Sequence, residues 1–381
     1  MNALLKDAFT EEAEAAGEPN LDLGAIVGNG RRLVRRRRIT GLVAAVTAVA
    51  AVAGGATAVR QLTRPELVMQ PAGALGETAG AFAGIRATWA TGKVIHYGST
   101  TYQAPVTIAS FVQTTAGFVA VGADGVVYAI DGNGPAKEIG RGDTTRRLAA
   151  GGAIVGWVDL RAAVPEFVLY DVGARRELIR TAAGNDRAGN SGPAATGSDP
   201  LHVVAIDGGT AYLAASDGLR RLDVATGRNE LIKAGTKTSF LQAASGGQLV
   251  WEHPAKVTGN DLAVGKDVSA GSPRTFEGWH AYLSPSGRYL LTDKADEVRM
   301  FDVSSGGQVR LTFAGYALIV PTQWSTEKTF YAVGYRSAAT APVDLLSCSV
   351  DSLSCAVAVP KIAPSSSSPL RFQIPVGTPI G

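Results

Sequence analysis

From about residue 105 to 360 the chain alternates apolar and polar residues in short runs, separated by turns rich in Gly, Asp, Ser and Pro. A period of two is the side-chain period of a β-strand. The clearest unit is HAYLSPSGRYLLTDKADEVRMFDVSSGGQVRLTF, residues 280 to 313. It predicts four strands, beginning near His280, Arg288, Glu297 and Gln308, with turns at Ser284-Pro285-Ser286-Gly287 and Asp302-Val303-Ser304-Ser305-Gly306-Gly307. The same four runs recur from Phe111, from Arg146 and from Val203.

A dipeptide before the last strand marks the phase of each copy: Asp131-Gly132, Asp171-Val172, Asp223-Val224 and Asp302-Val303. The spacings are 40, 52 and 79 residues, and the last is about two units of roughly 40. A degenerate copy is therefore expected around residues 238 to 275, where LVWEHP and DLAVGKDV stand. Residues 316 to 361 make a further copy, with Ser349-Val350 in place of Asp-Val. A single four-stranded sheet cannot bury both of its faces. Radial stacking buries them, and that is the logic of a β-propeller. The expected fold is all-β, a six- or seven-bladed β-propeller of four-stranded blades. Six copies are legible. The seventh requires GKVIHYGSTTYQAP, from Gly92, to pair with the terminal RFQIPV, closing the ring with strands from both ends of the chain.

SPSGRYLL followed by VRMFDVSSGG resembles the blade pattern of TolB-type and WD-repeat-like propellers. The resemblance covers residues 105 to 360 in weakly matched copies and implies the fold. No blade carries a Trp-Asp dipeptide and no Gly-His opens a blade, so the protein-scaffold role of true WD repeats does not carry over.

The first ninety residues differ in character. Residues 39 to 59, ITGLVAAVTAVAAVAGGATAV, hold no charge. As a helix they would span roughly 30 Å, about the thickness of a bilayer core. Arg31, Arg32, Arg35, Arg36, Arg37 and Arg38 crowd the N-terminal flank, and the positive-inside rule places residues 1 to 38 in the cytoplasm. The domain reading is a basic cytoplasmic tail with helical pattern over 1–38, a transmembrane signal anchor over 39–59, a flexible stalk over 60–90 and an extracytoplasmic propeller over 91–381. Ala56-Thr57-Ala58 leaves signal-peptide cleavage after Ala58 as the rival. The whole layout resembles a group of actinobacterial single-pass membrane proteins with Arg-rich tails and propeller-like ectodomains.

Composition changes this picture little. Gly is abundant at 46 residues, charged residues make up 18% and the net charge is +3, which argues against a nucleic-acid partner. The two cysteines, Cys348 and Cys355, are expected to end the third strand and begin the fourth strand of the last copy. Facing each other across a hairpin in an oxidising compartment, they are expected to form a disulfide. The four histidines, His96, His202, His253 and His280, fall in different copies without metal-ligand spacing. Ser325-Thr326-Glu327-Lys328 matches an S-x-x-K pattern, but it sits in a turn between strands rather than at a helix start. No catalytic, cofactor-binding or metal-binding set is expected, and no cofactor.

The functional expectation is a non-enzymatic binding module at the cell membrane, holding a protein, peptide or glycan ligand on the propeller face. Its other partners would be the lipid bilayer and a cytoplasmic protein met by the tail. One alternative is a transmembrane signalling regulator, anti-sigma-like, that couples the propeller to that cytoplasmic partner. Another is a propeller-type hydrolase or lactonase.

Overall fold

The computed structural model describes Phe82 and residues 84–377, apart from 143–146, 162, 184–200, 236–239, 254–260, 270–272, 295–296, 314, 337–340 and 365–371. The expected tail with Arg35, Arg36, Arg37 and Arg38, the segment 39–59 and most of the stalk lie outside the described residues. Among the described residues no helix is long and apolar enough to cross a membrane.

The strands form seven antiparallel sheets of four strands each. Six follow chain order. Blade 2 is Ile108–Thr114, Gly117–Gly122, Val126–Ile130 and Lys137–Arg141. Blade 3 is Ala149–Gly151, Ile154–Asp159, Glu166–Asp171 and Arg176–Ala182. Blade 4 is His202–Asp207, Thr210–Ala215, Gly218–Asp223 and Asn229–Ala234. Blade 5 is Leu241–Ser245, Gln248–His253, Asp261–Gly265 and Arg274–Glu277, the degenerate copy. Blade 6 is Ala281–Leu283, Tyr289–Lys294, Glu297–Asp302 and Gln308–Val309. Blade 7 is Leu318–Trp324, Thr329–Tyr335, Val343–Ser349 and Ser354–Ala363.

Blade 1 joins the two ends of the described chain. Thr88–Thr91, Val94–Tyr97 and Thr100–Gln103 supply three strands, and Phe372–Gln373 supplies the innermost, paired as Ala90↔Gln373 and Thr91↔Phe372. The count is therefore seven. The ring also reaches back before residue 91: Phe82 is buried against Tyr97 and Phe118, and Thr88–Thr91 is the blade's second strand.

There is no single core. The apolar residues fall into seven clusters, and each fills one interface between neighbouring blades. The period of two explains this directly. In the strand Glu166–Asp171, Phe167 and Leu169 pack toward blade 4, while Val168 and Tyr170 pack toward blade 2. Both faces of a blade are inside, which is why the second strands read as nearly unbroken apolar runs. Gly117–Gly122 is buried at every position.

The phase-marking dipeptide has two separate jobs. Its Asp carboxylate accepts backbone N–H groups of the following turn: Asn133 to Asp131 at 3.0 Å, Ala174 to Asp171 at 2.9 Å, Thr226 to Asp223 at 2.8 Å, and Ser304 and Ser305 to Asp302 at 3.0 Å. The Val that follows enters the interface: Val172 is buried, and Val224 and Val303 pack against their clusters. Blade 5 carries the same device at Asp267-Val268, with Ser269 donating to Asp267 at 2.8 Å and Val268 buried.

Cys348 and Cys355 are register partners on adjacent strands of blade 7, bonded through their sulfurs with Cα atoms 4.0 Å apart. The bond clips the hairpin that leads into the outer strand. Replacing both cysteines by Ser is expected to cost about 2–3 kcal/mol through loss of loop closure. Thermal melts of the oxidised protein and the double variant measure it, and equal melting temperatures would dismiss the clip as a stabilising element.

Candidate functional site

In an antiparallel four-strand meander, the first-to-second and third-to-fourth turns lie at one end of the blade. The second-to-third connections and the links between blades lie at the other. The two ends of this ring are built differently.

At the turn end, neighbouring blades are stitched together. Thr115 N–H donates to Gly152 O at 2.9 Å, joining blades 2 and 3. Asp207 of blade 4 accepts the N–H groups of Gly246 and Gly247 at 3.2 and 2.8 Å in the first turn of blade 5. Gly246 has φ of +58°, and a Cβ there would meet the Ser286 carbonyl carbon at 2.2 Å, so only glycine fits between blades 5 and 6. Ser245 Oγ then donates to Pro285 O at 3.1 Å. Glu327 of blade 7 reaches back to blade 6, accepting from Ser284 Oγ at 2.8 Å and Ser286 N–H at 2.9 Å.

These bonds also settle the S-x-x-K pattern. Ser325 Oγ donates to Thr329 O at 3.0 Å, and Lys328 pairs with Asp351 at 2.9 Å. Both side chains serve the turn.

At the opposite end the connections differ in length, and neighbouring blades are bonded there too: Ile108 N–H of blade 2 donates to Gly92 O of blade 1 at 2.8 Å, and Leu160 N–H of blade 3 donates to Arg141 O of blade 2 at 3.3 Å. Second-to-third connections run from Ala123–Gly125 in blade 2 to residues 254–260 in blade 5, and residues 183–201 link blades 3 and 4. Two ionic groups brace this end. Asp159, wholly buried, accepts from Arg161 N–H at 2.9 Å, from Arg161 Nε at 2.9 Å and from Arg180 Nη1 at 3.2 Å. Arg180 also reaches Glu166 at 2.8 Å. In blade 7, buried Asp344 accepts from Lys361 N–H at 2.9 Å, Tyr316 OH at 2.9 Å and Arg336 Nη2 at 3.0 Å. Burial alone would raise the Asp344 carboxyl, and these donors overcome it and hold it below the usual carboxylate value.

The histidines stay apart. His96 stacks on Trp89 with ring centroids 4.5 Å apart, and burial lowers its basicity. His280 bonds Asp293 through Nδ1 at 2.9 Å. Among the described residues no group of three or more His, Cys, Asp or Glu side chains is arranged to hold a metal.

The inner wall carries a charge that the sequence does not announce. Arg147 stands just before the innermost strand of blade 3, and Tyr282 lies in the innermost strand of blade 6. Desolvation inside the ring pushes the Arg147 guanidinium below its usual value, against the opposing influence of Tyr282. Two residues 135 positions apart in the chain thus influence each other electrostatically, which no local motif foretells.

The topology defines the class: an all-β, seven-bladed β-propeller of four-stranded blades. No protein-family model and no curated protein matches the chain. Among solved structures it is similar to TolB from Acinetobacter baumannii at 12% identity and a TM-score of 0.39, covering 58% of this chain and 62% of that one. It is similar to BamB from Moraxella catarrhalis at 10% identity and 0.34, covering 66% and 76%. A chain of a mitotic checkpoint complex aligns at 14% identity and 0.44, covering 80% and 88%. The chain thus spans a little under two thirds of that TolB structure, and these likenesses concern the fold alone.

Proposed function

We propose that this protein is a membrane-anchored, extracytoplasmic propeller that acts as a binding module and performs no reaction of its own. The observation that carries this reading is the contrast between the two ends of the ring. One end carries mostly short turns within blades, while the other carries connections that range from two residues to the long link 183–201, the arrangement in which recognition loops are found. The ligand class that suits it is a protein, peptide or glycan in the extracytoplasmic space. The uncharged run 39–59 behind Arg35, Arg36, Arg37 and Arg38 supports an anchor with the tail inside, and the Cys348–Cys355 bond supports export to an oxidising compartment.

The test uses the full-length chain, extracted in detergent and used as bait. Specific capture of a partner is expected. Replacing residues 184–200 by a short Gly-Ser linker is expected to abolish or weaken that capture without shifting the melting temperature. Unchanged capture after this and equivalent shortening of residues 254–260 would refute the role of the irregular end. Protease treatment of intact spheroplasts checks the sidedness: the propeller should be digested or shed, and the tail protected.

A further inference from the structure

At the turn end, beside the contact of Ser245 with Pro285, residues of blades 5 and 6 line a cleft of about 380 Å³. Gln248, Val264 and Arg274 of blade 5 line it, together with Ser286, Arg288 and Ser304 around the turns of blade 6. The two arginines are fixed from behind. Arg274 Nη1 donates to the carbonyl oxygens of Val303, at 2.8 Å, and Ser304. Carbonyls position the guanidinium but leave its full charge unneutralised, and no carboxylate pairs with it among the described residues. Arg288 donates through Nε to Asp302 at 3.1 Å and lies over the Tyr289 ring, 5.0 Å from its centroid. Its Nη groups have no partner among the described residues.

The neighbouring carboxylates are already engaged. Asp302 takes the N–H groups of Ser304 and Ser305 as well as Arg288. Glu327 takes Ser284 Oγ and Ser286 N–H. What remains for a ligand is the unused N–H groups of two guanidinium forks, rimmed by hydroxyls and an amide and backed by Val264 and Val303. A planar fork of N–H donors matches the paired oxygens of a carboxylate or a phosphate.

We propose that this cleft is a binding site for an oxyanion group, carboxylate or phosphate, held between Arg274 and Arg288. It goes beyond the binding reading above, because it lies at the other end of the ring and names the chemistry of a second ligand.

The experiment is calorimetric titration of the full-length protein with inorganic phosphate and, separately, with a short Glu-rich peptide, at low chloride. Saturable binding of at least one probe is expected. Binding of phosphate alone identifies a phosphoryl ligand, and binding of the peptide alone identifies a carboxylate ligand. Arg274→Gln is expected to weaken the bound probe about tenfold. Arg274→Lys, which keeps the charge and loses the fork, should fall between. Arg228→Gln removes the same charge from a side chain that is 78% exposed elsewhere on the ring, and should change affinity less than twofold. If Arg274→Gln proves unstable, Arg288→Gln and Arg274→Lys carry the comparison. No saturable binding of either probe, or equal affinities for the Arg274 and Arg228 variants, overturns the site. Partner capture that survives Arg274→Gln leaves the module reading intact, and phosphate binding without any captured partner leaves the cleft intact.

Discussion

A chain ended at Pro364 is expected to lose its cooperative unfolding transition. The missing segment supplies the innermost strand of blade 1, Phe372–Gln373, and it does more than close one sheet. Val376 bridges Val112 of blade 2. Gly377 N–H donates to Phe111 O at 2.9 Å, and Leu148 N–H at the head of blade 3 donates to Gly377 O at 2.8 Å. Three blades are thus tied by one short segment. Gly377 has φ of +75°, and a Cβ there would meet Leu148 O at 2.0 Å, so a glycine is required at this crossing.

Phe372 and Ile374 are buried in the cluster between blades 7 and 1. Losing two such side chains costs about 6 kcal/mol, comparable with the whole stability of an ordinary domain. Ile374→Ala alone is expected to cost about 2–5 kcal/mol. Circular dichroism melts measure both. Adding a synthetic peptide of residues 365–381 to the shortened chain should restore the transition. A shortened chain that melts like the full protein would show that the ring closes without its last strand.

The second large effect is expected at Asp159. Its carboxylate has no exposure to solvent, and Arg161 and Arg180 converge on it. Asp159→Ala leaves two cations facing a desolvated hole. The expected loss is about 3 kcal/mol, at the low end for a broken buried pair because both arginines reach solvent.

The same site makes a pH prediction. Burial alone would raise the Asp159 carboxyl, but the hydrogen bonds from the Arg161 side chain and backbone and from Arg180 win, so it titrates below its ordinary value. A carboxyl with a lowered folded-state pKa stabilises fully above the unfolded value of about 4. That stability is lost as the pH falls through the lowered value. Wild type and Asp159→Asn should therefore differ most in urea midpoint near neutrality, and the gap should narrow as the pH falls below the ordinary carboxylate range. No gap between the two proteins at neutral pH would mean that the charge of Asp159 contributes nothing.

Much of the fold was legible because it is local. In blades 2 to 6 an Asp at the third-to-fourth turn accepts N–H groups of its own turn, and in blades 3 to 6 the Val beside it faces a neighbouring blade, so the dipeptide survives where the rest of the copy drifts. The same logic placed the register of Cys348 and Cys355. Asp267-Val268 follows Asp223 by 44 residues and precedes Asp302 by 35. That uneven spacing is what made blade 5 look degenerate. Blade 1 was harder to read because its strands come from opposite ends of the chain. Its second strand, TWAT, is only four residues long and sits where the composition still looks like stalk.

The candidate sites were not legible, and the reason is distance along the chain. Arg274 reads as an ordinary charge in an outer strand, and Arg288 as a turn residue. Only the stacking of blade 5 on blade 6 turns their side chains to one cleft. The sequence by itself determined the strands, their grouping in fours and the turn chemistry, since each depends on residues a few positions apart. The number of blades, the joining of the chain ends and the convergence of charged side chains were decided by tertiary structure. Those contacts gain free energy only when segments far apart in the chain have already packed face to face.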